Sequence, residues 1–439
     1  MAAMTRRTWI GAALAVAGLG GRAMAGSSAN PGEAALAKVK AAAQGAIDSG
    51  DIPGVITVLW RKGELVQLNA FGVRDVAQKT PMTRDTIFAI ASMSKPVTVA
   101  TALTLVDAGK MKLDDPITKW APEFANMRVL KKPDGPLGDT YPAPRAATIE
   151  ELMTHRAGFT YGFIAPGPIG GALLQKLGFG LDSPMTPDEW LKALAQFPLV
   201  SAPGERFSYG HSIDVLGFIV ARACGKPLGE AMHERLFASI GMKDTGFWVP
   251  PEKRARFAVS CISPSPAQFT PNPITSMMGI GPAVYTSGGQ GLVTTADDYL
   301  TFARMLMGGG KVNGARVLKA ETAKRMTSNH IAPAQRQFPS AVTDWKSQGY
   351  GYGVMTVDDS KAYEATGRGM GLTGTYGWGG AFGGWWQNDP KEEMTLIWLQ
   401  ECLPPPPAPG AMSAGGMQRI PGIAGTIAFE KAAYAAIRV

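Results

Sequence analysis

Apolar and polar positions alternate in different ways along the chain, and together they predict strands near both ends with helices between them. Near the start, residues 55–60 and 65–71 have the pattern of two strands on either side of a turn that contains Gly63. Three further strands are predicted near the end, over residues 351–357, 376–388 and 394–401. A last helix is expected near residues 425–437, and the Pro- and Gly-rich stretch at 404–422 is expected to be a surface loop.

The middle of the chain has the pattern of short helices separated by loops. At Thr186 a capping hydroxyl is followed by a proline and two acids, which is typical of a helix start. Two more helices are predicted over residues 213–223 and 228–237. We therefore expect one domain over residues 26–439, of the α+β type within the α/β class. Its sheet-based part covers about 35–115 and 278–439, and its mostly helical part covers about 116–277.

The first 25 residues have the features of an export signal. Two arginines precede an apolar run of eleven residues, and Ala23-Met24-Ala25 fits a signal peptidase site. An apolar run of this length is too short to cross a bilayer as a helix, so no integral membrane segment is expected. The stretch TRRTWI also resembles a twin-arginine signal. The sequence thus predicts a periplasmic or secreted protein.

Charge and cysteine content exclude several classes of protein. The 439-residue chain has a formal net charge of +8, but the basic residues are scattered and no basic run indicates a nucleic-acid partner. The three cysteines lack C-x-x-C spacing and indicate neither a disulfide framework nor a zinc site. The four histidines form no H-E-x-x-H pair. We expect no metal and no cofactor.

A candidate for the chemistry is the stretch AIASMSKPV, which contains Ser92 and Lys95 as an S-x-x-K motif. Such a motif alone is weak, because serine and lysine are common. In a helix, however, residues three apart share a face, so the Ser92 hydroxyl and the Lys95 amine could meet while Ser94 points elsewhere. The first turn of a helix also favours developing negative charge. Ser92 is therefore the candidate nucleophile.

Two later stretches agree with this motif. PGERFSYGHSIDVLG places Tyr209 just before an apolar helix, and TYGWGGAFGGWWQNDP is a glycine-dense strand. The three stretches together resemble the serine β-lactamase and penicillin-binding protein superfamily, its class C members most closely. Within that group the sequence is most similar to the family VIII carboxylesterases. LMTHRAGF and SGGQGLVTTADDYLTFARMLMGGG support the resemblance, which covers about residues 35–435.

The resemblance implies a β-lactamase-like fold, with an antiparallel sheet flanked by helices, and roles for specific residues. Ser92 would be the nucleophile, and Lys95 with Tyr209 would handle the protons. Ser92 and Ala381 would supply the backbone N–H groups of an oxyanion hole. The strand lining the site would be Trp378-Gly379-Gly380.

Two assignments of the base are open. A serine hydroxyl is a poor nucleophile until a base takes its proton. Lysine is ordinarily protonated near neutral pH, so burial must neutralise Lys95, or its charge must favour the phenolate form of Tyr209. The sequence does not choose between these, and the two groups would titrate as a unit.

Two departures from the superfamily pattern bear on the substrate. His211 stands where most β-lactamases have the asparagine of Y-x-N; it could bind substrate or be an ordinary loop histidine. Trp378 replaces the lysine of K-T-G and so removes a cation that would bind a carboxylate. Both changes favour neutral esters. Trp385 and Trp386 are expected in the core, and His155 is expected to make a structural hydrogen bond.

The sequence thus predicts a serine carboxylesterase that cleaves small esters with short acyl chains. Alternatives with the same acyl-serine are a β-lactamase, a D-amino-acid peptidase or an acyltransferase. A non-catalytic cell-wall sensor is the alternative from another class, although its expected membrane helix and receptor domain are not evident.

Overall fold

The described part of the chain is given by a computed structural model. It covers residues 30–179, 183–272, 281–282, 284–336, 345–367, 369–405 and 420–438. The predicted export signal and most of the predicted surface loop at 404–422 lie outside these residues.

The described strands are numbered in chain order. They are β1 Gly54–Arg61, β2 Glu64–Asp75, β3 Thr80–Pro81, β4 Phe88–Ala89, β5 Arg128–Leu130, β6 Thr140–Pro142, β7 Cys261–Ser265, β8 Gln268–Pro271, β9 Val293–Thr294, β10 Lys311–Val312, β11 Ala315–Arg316, β12 Gln348–Tyr350, β13 Met355–Val357, β14 Tyr376–Gly379, β15 Trp385–Asp389, β16 Met394–Leu399 and β17 Cys402–Leu403.

The described helices follow the same convention. They are α1 Glu33–Asp48, α2 Ser94–Asp107, α3 Ile149–Met153, α4 Pro168–Leu177, α5 Pro187–Leu194, α6 Ser212–Cys224, α7 Leu228–Met232, α8 Ala238–Ile240, α9 Ala296–Met307, α10 Ala320–Met326, α11 Ser360–Ala365 and α12 Ile423–Ile437. Short 3-10 turns lie at Ala91–Met93, Ile117–Lys119, Pro122–Phe124, Pro251–Arg256 and Pro333–Gln335, and a π-helical turn lies at His233–Phe237.

One large sheet joins the two ends of the described chain. Its strand order is β12-β13-β14-β15-β16-β1-β2-β3, and every neighbouring pair is antiparallel. The central strand β1 lies between β2 and β16, so that Val58 faces Leu68 on one side and Ile397 on the other. The predicted α/β class with an antiparallel sheet is thereby confirmed.

Helices cover both faces of this sheet. On one face α1 and α12 pack together, and Trp398 of β16 contacts Phe429 with ring centroids 6.0 Å apart. On the other face α9 packs on β15 and β16, with Tyr299 5.6 Å from Trp386. Alternating strand residues thus enter two separate cores. Trp386 is fully buried, as the sequence predicts.

Two of the segments that were predicted as single strands contain a turn. Residues 376–388 form β14 and β15 around a turn at 380–384, and residues 351–357 turn back before β13. Gly383 and Gly353 in these turns have φ values of 88° and 73°, a left-handed region that glycine enters easily. The prediction of single strands was wrong because it treated these glycines as part of the extended pattern.

The middle of the chain contains helices and some short strands. Thr186 caps α5 as predicted: its side chain accepts the N–H of Glu189, whose carboxylate accepts the N–H of Thr186. The strands β5 to β8 do not appear in the prediction, because segments of three to five residues carry little periodic signal. Among the described helices, none combines the length and apolar character that crossing a membrane would require.

The helix α12 carries a carboxyl group into the core. Glu430 is 2% exposed, and its Oε2 accepts the backbone N–H of Met370 at 2.9 Å. Burial raises the pKa of Glu430 to about 8, although the Met370 hydrogen bond opposes this. A glutamate in an unfolded chain ionises near pH 4.3, so the folded state holds this proton over a pH range in which the unfolded state has lost it.

We expect Glu430→Gln to change how stability depends on pH. Between pH 4.3 and 8 Glu430 is ionised in the unfolded chain and protonated in the folded chain. This difference should lower the wild-type free energy of unfolding by up to about 1.4 kcal/mol for each unit that the pH rises. Glutamine keeps an oxygen acceptor for Met370 and does not titrate. Denaturant unfolding of both proteins from pH 5 to 8 measures the difference. Parallel curves for the two proteins would contradict the prediction.

Candidate active site

The chain enters α2 through a tight turn that presents Ser92. The 3-10 turn Ala91–Met93 runs directly into α2, and Ala91 has φ 43°, a strained value for a residue with a side chain. Ser92 is half-buried, whereas Lys95 is fully buried one turn later. The Lys95 Nζ donates to the Ser92 Oγ at 3.0 Å. The two members of the S-x-x-K motif are therefore in direct contact.

The buried amine of Lys95 has one further hydrogen bond and two aromatic neighbours. Its Nζ donates to the carbonyl oxygen of Gly289 at 2.8 Å. The same atom lies 4.8 Å from the ring centroid of Tyr209 and 5.2 Å from that of Tyr161. A hydroxyl, a carbonyl oxygen and two aromatic rings thus surround the amine.

Ser94 has a separate, structural place. Its Oγ accepts the backbone N–H of Leu292 at 3.0 Å, and the side chain is fully buried. The hydroxyl thus ties the start of α2 to the segment before β9. The expectation that Ser94 points away from Lys95 agrees with this position.

Tyr209 lies at the end of a loop that His155 supports. The His155 carbonyl oxygen accepts the N–H of Ser208 at 2.7 Å, and its Nδ1 accepts the N–H of Gly210 at 3.4 Å. The His155 ring lies 4.6 Å from the Tyr209 ring. Burial and the nearby Lys95 charge lower the pKa of His155 well below its usual value. His155 is therefore a neutral support, in keeping with the predicted structural hydrogen bond.

The predicted lining strand contacts both Tyr209 and the turn before Ser92. The Trp378 Nε1 donates to the Tyr209 hydroxyl oxygen at 3.3 Å. A side chain at Gly380 would lie 2.4 Å from the Ile90 carbonyl oxygen, so only glycine allows this approach. Gly379 faces the Trp385 ring, whose nearest atom would be 3.0 Å from an added Cβ.

The turn between β14 and β15 presents the second proposed oxyanion donor. Gly380 donates to the Gly384 carbonyl at 2.7 Å, and Gly383 donates to the Gly380 carbonyl at 2.9 Å, which leaves Ala381 exposed at the corner. Ser92 is half-buried, and Ala381 is exposed. The role of their backbone N–H groups in an oxyanion hole stays a prediction.

Sequence reasoning missed Asp214, a buried carboxylate on α6. Its Oδ1 accepts the N–H of Gly289 at 3.0 Å and the hydroxyl of Ser287. Its Oδ2 accepts the hydroxyl of Tyr161 at 3.2 Å and contacts Nδ1 of His211 at 3.3 Å. The signal was present in SIDVLG, where an acid interrupts an apolar helix start.

Asp214 positions Gly289, the residue that in turn binds the Lys95 amine. It fixes the Gly289 N–H, while the carbonyl of the same residue accepts the Lys95 amine. Burial raises the pKa of Asp214, but the hydrogen bond and charge of His211 and the charge of Lys95 outweigh burial and lower it. Asp214 is therefore an ionised positioning residue, one step removed from the reacting atoms.

His211 is part of the same buried network. Only 2% of it is exposed, and its ring lies 4.5 Å from Tyr161 and 5.1 Å from Trp190. Its contact with Asp214 fits a positioning role. The predicted contact of His211 with substrate stays a prediction. Among the described residues, no group of three or more His, Cys, Asp or Glu side chains is arranged to hold a metal ion.

A serine that is hydrogen-bonded to a buried lysine, beside a tyrosine and a glycine-rich strand edge, defines a serine hydrolase with a β-lactamase fold. The chain belongs to the Beta-lactamase family, whose profile matches residues 39–414. This agrees with the superfamily resemblance inferred from the sequence.

The chain is also similar to individual proteins, one of which is named as an esterase. Protein Rv1367c of Mycobacterium tuberculosis (strain ATCC 25618 / H37Rv) is 42% identical over 357 residues, which is 81% of this chain and 87% of the relative. Esterase EstB of Burkholderia gladioli is 30% identical over 365 residues, covering 79% of this chain and 85% of the esterase. Among solved structures, EstCE1, described as a hydrolase with promiscuous acyltransferase activity, aligns with a TM-score of 0.72 and 27% identity. The alignment covers 92% of this chain and 99% of EstCE1.

We expect Asp214→Asn to lower kcat for ester hydrolysis on the order of 10²-fold with little change in KM. An amide has only one acceptor oxygen and cannot keep all four contacts of the carboxylate, so the Gly289 carbonyl would no longer be held in place to orient Lys95. Steady-state hydrolysis of p-nitrophenyl acetate by the folded variant measures this. Asp298→Asn is the matched control, since Asp298 is also a buried carboxylate but binds Thr245 and the Asp244 N–H elsewhere. Equal losses of kcat in the two variants would contradict the assignment.

Proposed function

We propose that the protein is a carboxylesterase of the class C β-lactamase-like type, related to the family VIII esterases. It cleaves small carboxylic esters with short acyl chains through an acyl-enzyme on Ser92. The observation that carries this proposal is the 3.0 Å contact between the Lys95 Nζ and the Ser92 Oγ, beside the Tyr209 ring. The similarity to Esterase EstB supports the ester as substrate.

The first half of the proposed reaction forms the acyl-enzyme. The Lys95/Tyr209 pair takes the hydroxyl proton of Ser92 while its Oγ attacks the ester carbonyl carbon. The backbone N–H groups of Ser92 and Ala381 bind the resulting oxyanion. When the tetrahedral intermediate collapses, the alkoxide leaves and receives the proton from the pair. The product of this half is the free alcohol and an ester on Ser92.

The second half regenerates the enzyme. Water gives a proton to the same pair and attacks the acyl carbon, and the same N–H groups bind the second oxyanion. Collapse breaks the bond to Ser92 and returns the proton to its Oγ. The carboxylic acid is released, and one water has been consumed for each ester.

Trp378 supports the choice of a neutral, small substrate. It lies where a lysine would attract a substrate carboxylate, and its N–H is already donated to Tyr209. Its ring packs 5.2 Å from Tyr350 and 5.5 Å from Tyr209, so it cannot move aside without disturbing the core. A short acyl chain fits beside such fixed rings more easily than a long one. The proposed cellular location is the periplasm or beyond, as the export signal predicts.

Acyl transfer is a second candidate for the same site. The related structure EstCE1 is described as having promiscuous acyltransferase activity. In this chain the acyl-serine would then be attacked by an alcohol in place of water, with no other change in the bonds made and broken.

We expect rapid hydrolysis of p-nitrophenyl acetate and butyrate, slower hydrolysis of a long-chain ester, and little hydrolysis of a chromogenic cephalosporin. Ser92→Ala should abolish the esterase activity. Ser94→Ala is the matched control: it should keep the activity and lose about 1 kcal/mol of stability with its hydrogen bond to Leu292. Faster turnover of the cephalosporin would favour a β-lactamase, and full activity in Ser92→Ala would remove the nucleophile.

Tyr209→Phe tests the proton-handling pair. We expect kcat for p-nitrophenyl acetate to fall by about 10²-fold or more, since loss of a general acid–base group costs roughly that much. Tyr350→Phe is the matched control, because within the described residues the buried Tyr350 hydroxyl has no hydrogen-bond partner. Similar rates for both variants would show that the Tyr209 hydroxyl takes no part in proton transfer.

A further inference from the structure

Two of the three cysteines, Cys261 and Cys402, lie side by side in the fold although they are far apart in sequence. Cys261 begins β7 and Cys402 begins β17, and the two residues are direct partners in a parallel strand pair. Their Sγ atoms are 2.8 Å apart, and both side chains are buried. The third cysteine, Cys224, lies on α6 and contacts the Nε of Arg235.

The backbone at this pair suits a covalent bond. Neighbouring strands lie about 4.8 Å apart, which falls within the Cα separation of about 4.4–6.8 Å found in disulfides. A disulfide bond is about 2.05 Å long, so the two sulfurs need approach each other by less than about 1 Å.

We propose that Cys261 and Cys402 form a disulfide that stabilises the folded enzyme by joining β7 to β17. Each thiol loses a proton, and the pair gives two electrons to a disulfide oxidant such as oxidised glutathione, which is reduced to two thiols. Such bonds persist in oxidising compartments, which the predicted export signal would reach. The proposal concerns the thiols alone and does not depend on the substrate of the enzyme.

The position of the bond links it to the active site. The Cys402 N–H donates to the Phe382 carbonyl at 3.1 Å, and Phe382 follows Ala381 in the turn between β14 and β15. The Cys261 N–H donates to the Glu401 carbonyl at 3.0 Å. Fixing β17 to β7 therefore holds the strand on which the turn with Ala381 rests.

Thiol counting on the full chain tests the proposal. The protein is unfolded in urea, refolded with oxidised glutathione, then alkylated in denaturant and weighed by mass spectrometry. A second sample is taken from export-competent cells and alkylated at lysis, so the result does not depend on refolding. We expect one alkylated thiol, Cys224, in both samples and three after reduction. Three alkylated thiols in both samples before reduction would overturn the proposal.

Variants assign the bond and test its effect on stability. Cys402→Ala should show two alkylated thiols, and Cys224→Ser should show none. Adding reductant should lower the midpoint of thermal unfolding by several degrees in wild type and in Cys224→Ser, but not in Cys402→Ala. An equal shift in Cys402→Ala, or no shift in wild type, would overturn the stabilising role.

Discussion

The burial of the Lys95 amine is the constraint around which this site is organised. A charged amine removed from water is costly unless other groups replace its hydration. Among the residues that the structure describes, the replacements are the Ser92 hydroxyl, the Gly289 carbonyl and the faces of two tyrosine rings, and none of their carboxylates contacts the amine directly. The amine is therefore positioned by neutral groups that come from several separate segments of the chain.

The hydrogen bonds of the Lys95 amine fix the positions of distant parts of the chain. Gly289 must present its carbonyl, so Asp214 on α6 binds the N–H of the same residue. Close packing of α2, α6 and the 287–291 segment follows, since a side chain at Gly288 would lie 2.9 Å from the Ile213 carbonyl. The carboxylate also offsets the lysine charge from a distance without bonding to it. The polar groups here form a continuous network, and partial loss of such a network is costly.

Some of this arrangement follows from local rules that a sequence displays. Ser92 and Lys95 meet because helical spacing brings them together, and Thr186 caps α5 through its own neighbours. The contacts of Asp214 and of the Cys261/Cys402 pair could not be predicted from local sequence, because their partners come from segments far away in the chain. The hairpin at 380–384 could not be predicted for another reason. Its glycines permit extended and left-handed backbone alike, and the close approaches of Gly380 to the Ile90 carbonyl and of Gly383 to the Gln400 side chain involve other segments of the chain.

The structure on the two sides of Ser92 is held by different physical means. On the amine side, polar side chains hold one another. On the side of Ala381, backbone atoms approach closely because glycine has no side chain, and β17 supports the turn from behind through the Phe382 carbonyl. Ala89 donates its N–H to the buried Glu401 carboxyl group, and Ile90 donates its N–H to the Leu292 carbonyl at 3.0 Å, so the peptide leading to Ser92 is also fixed. Changes in side chains can therefore alter the surroundings of the amine, while the proposed oxyanion binding would depend on backbone position and tolerate most identities at residue 381.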